Sequence, residues 1–241
     1  MAGGAVEDPA LAMKRFYRQA TASPEESGVA IHLDERPVRT PARALLRVPT
    51  EELAAAIAEE WNAQGDKVDP HSMPLTGLAN AAIDRVAPDP AAFGRSLAEY
   101  GESDLLCYRA DGPQSLVERQ ERVWEPLLGW ARTRFGVEFE TTTGIMHRPQ
   151  PAATIDQLRR AVAARGPFHL AGLAPLVTIA GSLVIALALA EGAIGLETAW
   201  DAAMLDEAWQ AEQWGADPLA AASLENRRRE FEAAYLFLTL L

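Results

Sequence analysis

The stretch RVPTEELAAAIAEEWNAQG, residues 47–65, is where the chain changes its period. Inside it Leu53, Ile57 and Trp61 recur at i, i+4 and i+8, the spacing of one helix face. Thr50 is placed to cap that helix, Glu51 and Glu52 suit the positive end of its dipole, and Gly65 stops it. Upstream the period is two. Gly28 to Leu33 alternates, so that Val29, Ile31 and Leu33 share one face of a strand. Asp34-Glu35-Arg36-Pro37 turns the chain, Val38-Arg39-Thr40 and Leu45-Leu46-Arg47-Val48 read as two further short strands, and Phe16 and Tyr17 as the start of a first. Connections this short leave no room for crossover helices, so the sheet is antiparallel. Downstream the pattern is helical almost throughout. The expected fold class is α+β: a flexible leader at 1–12, a small antiparallel β-rich N-terminal domain at 13–66 and a larger all-helical C-terminal domain at 67–241.

The helical part divides at its prolines and glycines. Met73 to Val86 is a helix entered through Pro74, with Leu75, Leu78, Ala82 and Val86 as its stripe. Asp89-Pro90 opens another that carries on into Asp104-Leu105-Leu106-Cys107-Tyr108-Arg109, and Asp111-Gly112-Pro113 breaks the chain. Ser115 to Phe135 is a long amphipathic helix that Pro126 is expected to kink or split. Phe135 to Gly144 alternates and is read as a short strand. Thr154 is expected to cap a helix running to Ala164. Asp217-Pro218 is a cap followed by a proline at the first helical position, and the helix it starts should turn Leu224, Phe231, Tyr235 and Leu238 inward. Glu225 and Arg229 form an i, i+4 pair on its surface. Leu170 to Ala190 is uncharged and long enough to span a bilayer. It holds Pro175, Thr178, Gly181 and Ser182 and lacks an aromatic belt or basic flanks, so it reads as a buried central helix from near Pro175 to Gly192.

A formal net charge of −12 argues against nucleic acid and anionic membrane surfaces as main partners. With a single cysteine, Cys107, there is no intrachain disulfide and no Cys-based metal site; beside Leu105 and Leu106 it reads as a small core hydrophobe. The N-terminus lacks the basic start and apolar core of a secretory signal and the Arg-rich, acid-poor composition of a transit peptide. Motifs for dinucleotides, phosphates, zinc proteases and serine hydrolases are absent, and His32, His71, His147 and His169 lie far apart. Asp104 and Arg109 are spaced either as an ion pair or as two solvated charges. Glu102, Asp104, Glu118 and Glu121 are the acids on which an acid/base pair would have to draw.

The most informative stretch for function is WDAAMLDEAWQAEQWGAD, residues 200–217. Wound as one helix, it places Trp200, Met204, Glu207, Ala211 and Trp214 in one narrow arc, with Asp206, Gln210 and Gln213 on a second wall. A carboxylate inside an aromatic stripe has two readings. Glu207 is a structural carboxylate neutralised by an arginine elsewhere, or the stripe is a surface kept apolar to receive another protein, with Glu207 as its specificity contact. The tryptophans fit either core packing or exposed anchors. The run Arg227-Arg228-Arg229, among Glu225, Glu230 and Glu232, reads as a solvated helix face.

An ordered set of short motifs runs nearly end to end. It comprises Arg15-Phe16-Tyr17; Leu33-Asp34 with Arg36-Pro37-Val38-Arg39-Thr40-Pro41; Glu60-Trp61 with Gln64; Met73-Pro74-Leu75-Thr76; and Asp104-Leu105-Leu106-Cys107-Tyr108-Arg109. Arg119-Gln120 with Trp124-Glu125-Pro126-Leu127-Leu128, Thr143-Gly144-Ile145, Gly181-Ser182-Leu183, and Leu205-Asp206-Glu207 with Gln210, Trp214-Gly215 and Asp217 complete it. In this the chain resembles the F1-sector assembly factors of ATP synthase that chaperone the alpha subunit. Glu35 departs from the glycine usual in that family's turn. The resemblance implies a β-rich N-terminal and a helical C-terminal domain, no enzyme activity, no cofactor or metal, and the ATP synthase alpha subunit as protein client, held until the beta subunit takes its place. A monomer without membrane insertion is expected, and the missing transit peptide favours the bacterial cytoplasm over the mitochondrial matrix of a eukaryote. The family's functional acid maps onto Glu207, with Asp206 and Glu212 as neighbours and Gln210 and Trp214 completing the client-binding set. On that footing Glu207 is expected partly buried at the rim of a groove. The alternative is a small-molecule hydrolase or transferase using carboxylates of the helical domain.

Overall fold

The computed structural model describes residues 13–144, 146–215 and 217–241; the expected leader at 1–12 and the motif residue Ile145 lie outside them. The fold is α+β, with antiparallel strands first and helices after. Contacts divide the chain into two compact units, one ending at Asn80 and the other running from Ala81 to Leu241. The domain limit expected between residues 66 and 67 lies inside the first of these.

The first unit holds β1 (Met13–Lys14), β2 (Ala20–Glu25), β3 (Gly28–Leu33), β4 (Arg36–Pro37), β5 (Arg47–Val48), α1 (Glu51–Asn62) and β6 (Lys67–Val68). Strand β3 is the centre of the main sheet. It pairs antiparallel with β2 along its whole length, from Ala20–Leu33 to Glu25–Gly28, and on its other edge with β4 and β5 in turn. Its alternate residues Val29, Ile31 and Leu33 are all buried, as period two requires. Strand β2 escapes the hydrophobic pattern because ATASPE is polar and contains a proline; a partner at full register makes it a strand. Phe16 and Tyr17 belong to the link between β1 and β2 rather than to a strand. The strands expected at 38–40 and 45–48 shrink to the Arg39–Leu45 bridge and β5.

Helix α1 packs its buried face, Leu53, Ile57 and Trp61, on β2 and β3, and Thr50 Oγ1 accepts from the Leu53 amide as expected. Three of the ordered motifs meet here. The Arg15 guanidinium donates to the carbonyls of Tyr17, Arg18, Asn62 and Gln64. Tyr17 Oη donates to the Trp61 carbonyl at 2.7 Å. The Glu60 carboxylate accepts from the amides of Leu75 and Thr76 and from the Thr76 hydroxyl, at 2.7–2.8 Å, so it seats the start of α2 (Pro74–Ala81). These motifs fasten the first unit internally.

In the second unit a π-helical turn (Ala82–Val86) is followed by α3 (Pro90–Ala98), capped by Asp89. Two 3-10 turns, Glu99–Ser103 and Leu105–Cys107, lead to β7 (Tyr108–Arg109), where one continuous helix was expected. Helix α4 (Gln114–Phe135) runs through Pro126 as a single helix, not two. The alternating stretch after it forms only β8 (Thr142–Thr143), parallel to β7. Helix α5 (Ala152–Ala163) begins ahead of Thr154. The Thr154 hydroxyl instead donates to the Glu138 carbonyl and accepts from its amide, at 2.6 and 3.1 Å.

The apolar segment at 170–190 is two helices, α6 (Pro167–Ala180) and α7 (Leu183–Ala190), broken where Gly181 takes the left-handed φ of 61°. The expected burial holds for α7, where every side chain from Leu183 to Leu189 is buried, but not throughout α6, where Thr178 is exposed. Among the described residues no helix is long and apolar enough to cross a membrane. The unit closes with α8 (Leu196–Ala203), α9 (Leu205–Trp214) and α10 (Pro218–Thr239). Asp217 Oδ2 accepts from the Ala220 amide at the start of α10, whose buried side chains are Phe231, Ala234 and Phe237. Phe237 therefore takes the inward place expected for its neighbours Tyr235 and Leu238, which are only half-buried.

Candidate functional site

The helix expected to run unbroken from Trp200 to Trp214 is interrupted at Met204, where φ and ψ are −99° and 14°. The apolar arc therefore does not continue. Trp200, Met204 and Leu205 are buried, but Glu207, Ala211 and Trp214 on the far side of the break are exposed. Leu205 is the one buried residue of α9. Trp214 is 75% exposed, its ring set edge-on to Trp209 at 5.8 Å, and Leu219 in the first turn of α10 is 81% exposed.

Polar side chains fasten α9 to its neighbours. Asp206 Oδ1 accepts from Gln120 Nε2 of α4 at 2.8 Å. Gln120 is itself buried, and its Oε1 accepts from the Ala110 amide. Glu212 receives both its oxygens' bonds from Arg119 Nη1 of α4, at 2.9 and 2.8 Å. Glu207 pairs with Arg227 of α10 through two parallel bonds, Nη1–Oε1 at 3.1 Å and Nη2–Oε2 at 2.5 Å. Hydrogen bonding from Glu207 raises the Arg227 guanidinium above its ordinary pKa, against the lowering effect of partial burial. The Glu207 side chain is still 52% exposed. It does not line the groove that Trp200 of α8 forms with Ala221, Leu224 and Arg228 of α10. Gln210 is exposed.

The basic run expected to be a solvated face is thus largely engaged. Arg227 holds Glu207, Arg228 holds Glu197 and Glu232, and Arg229 turns to Asn226 Oδ1 rather than to Glu225.

The motifs at 104–109 and 205–210, distant in sequence, both reach α4, which carries a third. Trp124 is fully buried and donates from Nε1 to the Ala202 carbonyl at 2.9 Å. Arg109 lies over the Trp124 ring, donates to the Leu106 carbonyl and pairs with Glu125. Asp104 does not pair with Arg109. It is completely buried, and it accepts from the Leu106 amide through Oδ1 and the Val184 amide through Oδ2. Burial pushes its pKa up to about 6, against the lowering effect of those bonds and of one from Ser182. Cys107 is buried, and its thiol is pushed up to about 12, by burial first and by Asp104 second. Glu102, Glu118 and Glu121 are exposed. Among the described residues no group of three or more His, Cys, Asp or Glu side chains is arranged to hold a metal ion.

Residues 14–132 match the family described as ATP12 chaperone protein. The crystal structure of Atp12 from Paracoccus denitrificans superimposes with a TM-score of 0.90 at 43% identity, over 95% of this chain and 98% of that one. The chain belongs to the ATP12 chaperone family. It is the family of ATP synthase F1-sector assembly factors that the ordered motifs resemble. A candidate chaperone from Agrobacterium tumefaciens matches with the same TM-score at 41% identity, over 94% of this chain and 85% of that one. The mitochondrial protein atp12 of Schizosaccharomyces pombe is 25% identical over 219 residues, spanning 86% of this chain and 75% of its own length. Within the ATP12 fold the motif residues divide by role. Tyr17, Trp61, Gln64, Asp104, Gln120 and Trp124 are buried fasteners, whereas Glu207, Gln210 and Trp214 of α9 stand at the surface.

Proposed function

We propose that this ATP12 family member holds the unassembled alpha subunit of the ATP synthase catalytic head, keeps it from aggregating, and yields it to the beta subunit. The client meets the outer face of α9 and the first turns of α10, the face that carries Asp206, Glu207, Gln210, Glu212 and Trp214. The observation that supports this reading is the exposure of Trp214 and Leu219 on neighbouring helices. Exposed tryptophan is rare away from interaction sites, where it acts as an anchor. A subunit awaiting its partner exposes apolar surface, and a holdase has only to cover it with an affinity the true partner can exceed. The protein acts as a monomer without cofactor or catalysis. Of the acids that a carboxylate enzyme would use, Asp104 has both oxygens committed to backbone amides.

The test is binding and light scattering with purified ATP synthase alpha subunit. The chaperone at equimolar ratio should bind it and suppress its aggregation, and added beta subunit should release it. Absence of binding overturns the reading.

A further inference from the structure

The acids of α9 face solvent, yet each is already engaged within the chain. Asp206 is held by Gln120, Glu212 by Arg119 and Glu207 by Arg227. The rest of α9 has little to secure it. It buries only Leu205, where a helix of this length usually packs an apolar stripe. Its start therefore rests on Leu205 and the Asp206–Gln120 bond, and its middle and end on ion pairs to α4 and α10. Gly215, with φ at 86°, follows it directly. The two parallel bonds of Glu207–Arg227 fix direction as well as distance, because a guanidinium and a carboxylate meet in one plane.

We propose that Glu207 and Arg227 form an intramolecular clasp that sets the α9–α10 hairpin, and that Glu207 is a positioning residue which does not itself touch the client. The clasp aligns the exposed Trp214 and Leu219 as one apolar edge, and this edge makes the client contact. Arg119–Glu212 acts in the same way from α4. This rests on the proposed reading of the hairpin as the client surface. It differs from direct recognition in two respects: Arg227 matters as much as Glu207, and the order of the charges does not.

The experiment compares E207K, R227E and the charge swap E207R/R227E. It measures affinity for purified ATP synthase alpha subunit and hydrogen exchange of the amides at 205–214. Each single reversal should weaken binding by about fivefold or more and speed exchange in α9, and the swap should restore both to within about twofold of wild type. Wild-type binding by R227E overturns the proposal. So does a swap that restores exchange but not binding, since Glu207 would then meet the client directly. A swap that restores neither shows that there is no clasp. If a reversal lowers the melting temperature of the whole chain by more than about 5 °C, E207Q and R227Q take its place with the same expectations. If wild type itself fails to bind, the client reading falls, and exchange in R227E and the swap still decides the clasp.

Discussion

Two carboxylates near helix starts, Asp104 and Glu207, are given opposite tasks by their surroundings. Asp104 has no solvent and no arginine partner, and backbone amides satisfy its oxygens. Its folded-state pKa of about 6 lies above the ordinary 3.8. The stability it lends is therefore full below about pH 4, falls as pH rises toward 6 and is level above. D104N turns an amide NH2 toward a backbone donor and should cost about 1–3 kcal/mol. In urea melts at successive pH values, the gap between wild type and D104N should narrow from pH 4 to 6 and then stay constant. Cys107, 1% exposed with its thiol near 12, should not react with a thiol reagent such as dithionitrobenzoate at pH 8 until denaturant unfolds the chain. Reaction at the rate of a free thiol would contradict that burial. Glu207 sits half in water against Arg227, where net electrostatic worth is small. Its value lies in direction, not in stability.

At the scale of elements, both long apolar patterns turned out to be broken helices. Residues 170–190 read as one helix because nothing charged interrupts them. The break comes from Gly181 in the left-handed region and from Ser182, whose Oγ accepts from the Ile185 amide at 3.0 Å. Asp104, distant in sequence, seals it through the Val184 amide. S182A removes the cap and should cost about 1 kcal/mol in a thermal or urea melt; an unchanged melt would mean Asp104 alone suffices. Gly172 is a second such element-level device. A Cβ there would meet Leu238 Cδ2 at 2.7 Å and Leu238 Cγ at 2.9 Å, so α6 and α10 pack as closely as they do because that residue has no side chain. The break at Met204 in turn releases α9 from the apolar arc that buries Trp200, which is why Trp214 ends in solvent.

At the scale of the whole molecule, the second unit combines a closed core with one poorly buried hairpin. The core around α6 and α7 does not depend on Trp214 or Leu219, whose side chains are mostly in water. The double variant W214A/L219A should therefore change global stability by less than about 0.5 kcal/mol while losing most of the capacity to suppress aggregation of ATP synthase alpha subunit in light scattering. A variant that protects as well as wild type would remove this edge from the client surface. The acidity of the chain, −12 overall, gives no comparable handle. Many of its acids are engaged in ion pairs, such as Glu197–Arg228 and the part-buried Glu191–Arg165.

The sequence alone determined the α+β order, the full extent of β3, the caps at Thr50 and Asp217, the helix start at Asp89-Pro90, and the burial of residues 183–189. Each of these follows from local spacing, and local spacing is what periodicity reports. The ordered motifs also carried the family. The place of each motif residue was a different matter. Glu60, Gln120 and Asp104 look in sequence like the polar residues of any helical surface, and only contacts with partners farther along the chain make them fasteners. Tertiary structure likewise decided that Glu207 lies in water with Arg227 rather than within a buried stripe. A single turn of backbone at Met204 rotates everything after it, and no period read along the chain contains that rotation.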